Sequence, residues 1–255
     1  MKITFLGTGT SQGVPVIGCK CDVCQSNDIK DKRLRTSALI EVGDTKILID
    51  AGPDFRQQLL KENICDLDAI LLTHEHKDHI GGLDDVRALN YITEKPVEIY
   101  GEERVLNAVR SDYAYAFTEN PYPGVPEMNL NIITDSIPFS INGIEIIPIR
   151  VYHFKLPVIG FRIGGLVYIT DANRIEPHEM AKIKNCDTLV VNALRREEHL
   201  SHFTLSQALE VAKQSAARVV YLTHLSHQMG LHREVEKELP SNVFIAYDGL
   251  TVTVG

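Results

Sequence analysis

The sequence predicts an α/β protein of one domain, residues 1–255, with two sheets covered by helices on their outer faces. Three observations carry that reading. Short apolar runs bounded by turn residues recur in both halves, helical periodicity interleaves with them, and the alternation is looser than a doubly wound single sheet requires. In chain order the strand runs are Lys2 to Leu6, Ser37 to Val42, Lys46 to Asp50, Ala69 to Leu72, Val97 to Tyr100, Glu145 to Arg150, Gly160 to Ile163 and Val167 to Thr170. Helical spacing covers Pro53 to Lys61, Leu83 to Asn90, Arg104 to Asp112, Pro177 to Ile183, Leu205 to Gln214 and Leu231 to Lys237, with Pro53 and Ser206 near helix starts. Tyr113 to Pro126 alternates aromatics with prolines and reads as a loop, either a lid or interface element or a cover over the domain's own surface.

With 255 residues, 44% of them hydrophobic and 24% charged, the chain has ample material for a core. No apolar stretch spans a bilayer and no secretory apolar region is visible, so the expected location is cytoplasmic, without a membrane partner. A formal charge of -8 disfavours broad binding to a nucleic-acid backbone, although Lys30, Lys32, Arg33 and Arg35 form a local cluster able to meet an anion. A homodimer would be ordinary for such a chain.

Thr73-His74-Glu75-His76-Lys77-Asp78-His79 directly follows the apolar run Asp68-Ala-Ile-Leu-Leu72. Neutral imidazole is the commonest ligand of a catalytic divalent metal, and a carboxylate beside it holds a second ion or orients a water. The pattern predicts a metal site. His153, Asp171 and His224 each follow another strand-like run, so four strands could deliver ligands to one edge. A lone histidine at a strand end is usually just a satisfied side chain; four such ends together argue for a common site.

Of five cysteines, three lie in Cys19-Lys-Cys21-Asp-Val-Cys24. Three thiolates in one short turn suit tetrahedral zinc and lack only a fourth ligand, while a redox pair is the competing reading. Cys65 and Cys186 are expected to be small buried apolar side chains.

HxHxDH followed by single His, Asp and His resembles the ligand pattern of the metallo-beta-lactamase superfamily of dinuclear hydrolases, whose fold is a four-layer αββα sandwich. The resemblance implies that His74, His76 and His153 hold one ion, that Asp78, His79 and His224 hold another, and that Asp171 bridges them. Leu48-Ile-Asp50-Ala-Gly52 looks like the superfamily motif whose aspartate supports the metal loop by hydrogen bonding, a role that falls to Asp50. More narrowly, Gly7-Thr-Gly-Thr-Ser-Gln-Gly-Val-Pro15, the cysteine insert after it (about 18–35) and Thr223-His224-Leu-Ser-His227 resemble the PhnP-like phosphoribosyl cyclic phosphate phosphodiesterases. That resemblance implies one structural zinc on Cys19, Cys21, Cys24 and His227.

The expected function is therefore hydrolysis of a small cyclic phosphate ester by two divalent ions, zinc or manganese with iron also permitted by the ligands, that share an activated water. Asp78 would orient that water. His202, matched to a histidine beside the substrate phosphate, would be general acid or phosphate donor, with His199 competing for the role. A capping role for His202 at the start of the helix after it is the plain alternative, and Thr204 is the natural N-cap there. An RNA phosphodiesterase of the transfer-RNA 3' processing type is the rival enzyme, disfavoured by the acidic balance and by the lack of a long Gly/Pro-rich arm; an ester, lactone or thioester substrate is weaker still. A non-catalytic metal-binding or sensing protein is the alternative of another class, against which Asp78, His79, Asp171 and His224 weigh as open-coordination ligands.

Overall fold

The computed structural model describes residues 1–255. The first sheet is formed by β1 (Lys2–Gly7), β2 (Ser37–Val42), β3 (Thr45–Ile49), β4 (Ala69–Leu71), β5 (Val97–Gly101) and β6 (Met128–Ile132). The second is formed by β7 (Phe139–Ile141), β8 (Ile144–His153), β9 (Leu156–Ile163), β10 (Leu166–Ile169), β11 (Arg174–Ile175), β12 (Thr188–Asn192), β13 (Val219–Thr223) and β14 (Val243–Ile245), before β15 (Thr251–Thr253) returns to the edge of the first beside β1. The helices are α1 (Asp22–Gln25), α2 (Phe55–Lys61), α3 (Lys77–Ile80), α4 (Val86–Thr93), α5 (Glu103–Asp112), α6 (Met180–Ile183), α7 (Leu205–Ser215) and α8 (His232–Val235).

The period-2 pattern explains the layers. In β3, Ile47 and Ile49 face the second sheet and join Phe5, Ile40, Phe161, Tyr168 and Val190 in the inter-sheet core. Leu48 points the other way, onto α2, α4 and α5 through Phe55, Leu59, Val86, Leu89, Val105 and Val109. The outer face of the second sheet buries Val167, Ile169, Leu189 and Val191 under α6 and α7 through Ile183, Leu205, Ala208 and Val211. Each fully buried Ile or Leu contributes roughly 1.5–3 kcal/mol, and both faces of both sheets are covered. The fold is the αββα sandwich.

Topology brings the strand ends together. β1 and β2, then β2 and β3, pair antiparallel, and β3, β4 and β5 pair parallel, so β1, β3 and β4 all end at the same edge. In the second sheet β8 is antiparallel to β9 and β9 to β10, while β10, β12 and β13 are parallel, which again puts the ends of β8, β10 and β13 at one edge. A crevice outside the carboxyl ends of strands is the expected place for a ligand.

Several expected boundaries move. β8 runs on through His153, since its long antiparallel pairing with β9 reaches His153 opposite Leu156. The helix expected over Pro177 to Ile183 shortens to α6, and the one over Leu231 to Lys237 is α8 followed by a 3-10 turn at Glu236–Glu238. Between Tyr113 and Pro126 only a 3-10 turn at Ala114–Ala116 is regular; the Tyr113 hydroxyl donates to the Ile80 carbonyl at 2.8 Å, and Phe117 packs on the helical layer. The start of that loop covers the domain's own surface. Cys65, expected to be buried, is exposed in the segment after α2, where no sheet or helix covers it; Cys186 is buried as expected.

The basic cluster is not a surface. Arg33 is buried, its Nη1 donating to Thr8 Oγ1 at 2.7 Å and to the Ala246 carbonyl at 2.6 Å, and Arg35 pairs with Asp54. Asp248 closes the network by accepting from Thr8 N and Oγ1 at 2.9 and 2.7 Å and from Leu34 N at 2.6 Å. Burial raises the Asp248 carboxyl to about 6. The folded chain thus holds this proton more tightly than the unfolded one, so this group's contribution to stability falls as pH rises from about 4 to about 6. Asp248→Asn removes that dependence. The stability of the variant relative to the parent is expected to improve by roughly 2–3 kcal/mol between pH 4 and pH 7 in urea titrations; a difference independent of pH would show that the carboxyl titrates normally.

Candidate metal centre

Asp50, His74, His153, Asp171 and His224 stand at the ends of β3, β4, β8, β10 and β13, and α3 carries Asp78 and His79. Three of these take left-handed backbone angles: Asp50 (φ 60), Asp171 (φ 53) and His224 (φ 57). Such angles cost a non-glycine residue about 1–2 kcal/mol each and recur where a strand turns abruptly to aim a side chain. Gly52 lies against α3 so closely that a Cβ there would fall 2.0 Å from the Asp78 carbonyl oxygen, which fixes the approach of the helix to β3.

Hydrogen bonds settle which ring nitrogen each histidine offers. Asp50 accepts from Thr73 N at 2.8 Å, from Thr73 Oγ1 at 2.9 Å and from His79 Nδ1 at 2.6 Å. The Thr73 hydroxyl spends its proton there, so it accepts from His74 Nδ1 at 2.9 Å. Thr36 Oγ1 likewise donates to the Gly9 carbonyl at 2.7 Å and accepts from His224 Nδ1 at 3.1 Å. His153 Nδ1 donates to the Ser201 carbonyl at 2.9 Å. Four imidazoles are therefore tethered through Nδ1 and keep Nε2 for another partner.

The donor side chains converge. His74 Nε2 lies 3.0 Å from His76 Nδ1, and His79 Nε2 lies 3.2 Å from both Asp78 Oδ2 and Asp171 Oδ2. The Nε2 atoms of His79 and His224 are buried without a hydrogen-bond partner, as is Nδ1 of His202. Asp171 reaches all sides of the cluster: its Oδ2 is 3.2 Å from His224 Nδ1 and its Oδ1 is 3.7 Å from His202 Nδ1. The His153 ring is 5.2 Å from that of His76 and 4.5 Å from that of His202.

The electrostatics call for a cation. Burial lowers His74, His76 and His224, which keeps those rings neutral, and burial likewise takes His202 down to about 3. Burial would lower His79 too, but Asp171, Asp78 and Asp50 around it hold it well above its ordinary value. Burial opposes ionisation of Asp78 and Asp171, yet the imidazoles beside them, His79 for Asp78 and His224 and His79 for Asp171, keep both carboxylates below the usual range. Lone pairs of the neutral rings and two ionised carboxylates thus face one another across a buried space, and the carboxylates that draw a proton onto His79 would equally draw a cation. Five imidazole nitrogens and two carboxylates, several of them orphaned, form a donor set that fits divalent ions such as zinc or manganese.

The second cluster is smaller. Cys19, Cys21, Cys24 and His227 bring their donor atoms within 4.8 Å of one another, and His227 Nδ1 is 3.3 Å from both Cys19 Sγ and Cys21 Sγ. Tetrahedral zinc with sulfur and nitrogen ligands needs edges of about 3.5–4 Å. Burial opposes ionisation of the Cys21 thiol, but hydrogen bonds from the Cys24 backbone and from His227 bring it down to about 6; burial pushes Cys24 up to about 11. The insert has almost no core of its own beyond Val14, Val23 and Cys24. A metal there would supply stability that apolar burial does not.

Sequence reasoning missed Thr36, Thr73 and the Ser201 carbonyl, because a hydroxyl or a peptide group leaves no motif. It also missed Asn192, whose side chain accepts from Ala172 N at 2.8 Å and donates to the Ala172 carbonyl at 2.9 Å, clamping the turn that carries Asp171. His202 is not a cap: Thr204 fills that role with a capping box to Gln207.

Comparison with known proteins shows the family and the fold. The family model described as a beta-lactamase superfamily domain matches residues 45–225. The crystal structure of a diphosphatase from the PhnP family superposes with a TM-score of 0.93 at 36% identity, covering 100% of this chain and 98% of that one. A Porphyromonas gingivalis protein named octanoyltransferase is 44% identical over 256 residues, but the chain spans only 52% of its length. A ribonuclease Z of Methanopyrus kandleri is 26% identical over 262 residues, covering 87% of this chain and 92% of that protein.

Replacing Cys21 with serine is expected to remove one metal equivalent and to lower stability by several kcal/mol. Chelator should destabilise the parent in the same way and add little to the variant. Unchanged metal content in Cys21→Ser would refute a zinc ligand at this position.

Proposed function

The chain belongs to the beta-lactamase superfamily and, within it, to the PhnP family, and from that premise we propose that it is a metal-dependent phosphodiesterase acting on a small, cyclic phosphate ester of the phosphoribosyl type. The single observation that carries the reading is Asp171, whose two oxygens lie between the His79 and Asp78 side of the cluster and the His153 and His202 side. One carboxylate shared by two ligand sets is the arrangement of a dinuclear site. His74, His76 and His153 would hold one ion, Asp78, His79 and His224 the other, with Asp171 between them. Two such ions, when bound, supply a water of low pKa and neutralise charge on the phosphoryl oxygens.

The remaining work falls to side chains of this chain. Asp50 fixes His79 and, through Thr73, His74, so that the rings need no reorientation when a substrate arrives. Asp78 accepts a hydrogen bond from the attacking water and holds its lone pair toward phosphorus. His202 donates to a phosphoryl or leaving oxygen; it is buried beside Asp171. His199, 5.0 Å from it between ring centres, is less enclosed and holds Ser201 from the next turn. Buried Thr36 keeps His224 in the tautomer that presents Nε2.

The ribonuclease Z relative supports RNA cleavage as a second reading, and the formal charge of -8 weighs against it. Activated phosphodiesters, a ribose cyclic phosphate and a precursor transfer RNA, assayed side by side with metal-loaded protein, separate the two. Cleavage of RNA alone would overturn the small-ester reading.

Asp78→Ala is expected to reduce turnover below about one thousandth of the parent's with the fold intact by circular dichroism. His202→Ala should lower kcat by about 10²-fold, and His199→Ala by less than about tenfold. Full activity in Asp78→Ala would remove the dinuclear mechanism, and equal losses at His199 and His202 would remove the assigned role of His202.

A further inference from the structure

Two residues of the histidine segment, Glu75 and Lys77, lie among the ligands without joining them. Both turn toward α5: Glu75 pairs with Arg104 in the first turn of that helix, and Lys77 pairs with Asp112, its last residue. Just past the helix, the Tyr113 hydroxyl donates to the Ile80 carbonyl at 2.8 Å. α5 therefore lies along the segment from Glu75 to Ile80 as a splint. His76, between the two pairs, needs one. His74, His79, His153 and His224 are tethered through Nδ1, whereas His76 is exposed and its one hydrogen-bond contact is another ring, His74 Nε2 at 3.0 Å from its Nδ1.

Arg104 reaches further than the histidine segment. Its Nη1 faces Glu75, and its Nη2 donates to the Pro157 carbonyl at 2.7 Å. Pro157 stands opposite Tyr152 in the hairpin of β8 and β9, one pair from His153. One guanidinium thus spans the segment that carries His74 and His76 and the hairpin that carries His153, from the first sheet to the second. The planar fork suits the task, because its donors point in fixed directions where a lysine would offer a point charge. Glu102, the competing carboxylate at 3.9 Å, is already engaged by Arg150, whose Nη1 lies 2.9 Å from it. An exposed ion pair contributes little, but the paired atoms here, Glu75 Oε2 and Arg104 Nη1, are both closed off from solvent.

We propose that Arg104 is a positioning residue of the metal centre: it sets the separation between the segment of His74 and His76 and the hairpin of His153, so that three nitrogens meet one ion without reorganisation. This rests on the assignment of those three histidines to one ion. Ile159 N donates to the Thr73 carbonyl at 3.1 Å and joins the same two pieces through the backbone, so that amide reports on the brace. A surface ion pair with no such role would register as stability when broken and would leave the affinity of the ion untouched.

Full-length protein loaded with cobalt(II), read by visible absorption in competition with a chelator, tests the brace, with the thiolate absorption of the cysteine cluster as reference. Arg104→Met keeps the stem and loses the fork. It is expected to weaken one ion of the histidine cluster about 30-fold, the same ion that His76→Ala loses, while the cysteine cluster changes by less than about twofold. Glu75→Gln should weaken that ion to a similar degree, and the double variant no more than Arg104→Met alone, because the two side chains act as one unit. Parental affinity in Arg104→Met, additive losses in the double variant, or equal losses at every ion would overturn the brace. Glu75→Gln carries the same test should Arg104→Met fail to fold. Amide exchange at Ile159, measured with the histidine cluster emptied, separates the brace from the ligand assignment; Arg104→Met should raise it about tenfold. If His76→Ala retains every ion, the ligand assignment fails, and faster exchange at Ile159 in Arg104→Met then upholds the brace while unchanged exchange overturns it. If His76→Ala loses an ion that Arg104→Met keeps at parental affinity, with Ile159 exchange unchanged, the brace fails and the assignment stands.

Discussion

A single buried carboxylate governs the geometry of this molecule. Asp50 leaves β3 in a left-handed turn and accepts hydrogen bonds from two residues of the histidine segment, Thr73 and His79. Burial disfavours its charge, and only the donors around it make the ionised form tolerable. The compensation is mutual: the carboxylate needs those donors, and the donors take their positions from the carboxylate. The end of β4, the start of α3 and the tautomer of two imidazoles follow from that exchange.

The same logic repeats at smaller scale around the cluster. Thr36 and the Ser201 carbonyl do for His224 and His153 what Asp50 does for His79, each taking the Nδ1 proton and leaving Nε2 uncommitted. The partners come from different places in the chain: β3, the segment before β2, and the loop before α7. Preorganisation is thus distributed over both sheets, and the sandwich must be closed before any ligand set is complete. The inter-sheet core built by Phe5, Ile47, Ile49, Phe161 and Tyr168 is as much a condition of the site as the ligands are.

Legibility in the sequence followed the same division. Strands that carry ligands were visible because they are apolar and buried on both faces, and their final polar residue stands out against that background. Ligands that sit at strand ends could be found; hydroxyls and carbonyls that orient them could not, since Thr36 and Ser201 look like any surface residue. Edge strands such as Met128–Ile132 and Thr251–Thr253 also escaped notice, because one exposed side leaves their composition mixed. The sequence offers Arg33 to an anion together with Lys30, Lys32 and Arg35 for a related reason: charge is a property of sequence, but enclosure by Thr8, Ala246 and Asp248 is a property of contacts between distant segments.

The four residues from His224 to His227 close β13 and then turn into a 3-10 segment, with Leu225 bridging to Gly9 at the end of β1. One end of this short segment faces the histidine cluster and the other faces the cysteine triplet. Its length is consequently fixed from two directions at once, like a rivet through two plates. An insertion or deletion there would have to be accommodated by both clusters, and a disturbance at the amino-terminal insert has a covalent route of three peptide bonds to the last ligand of the centre. What looks in the sequence like an appendage, the insert at about 18–35, is therefore, mechanically, part of the wall of the site.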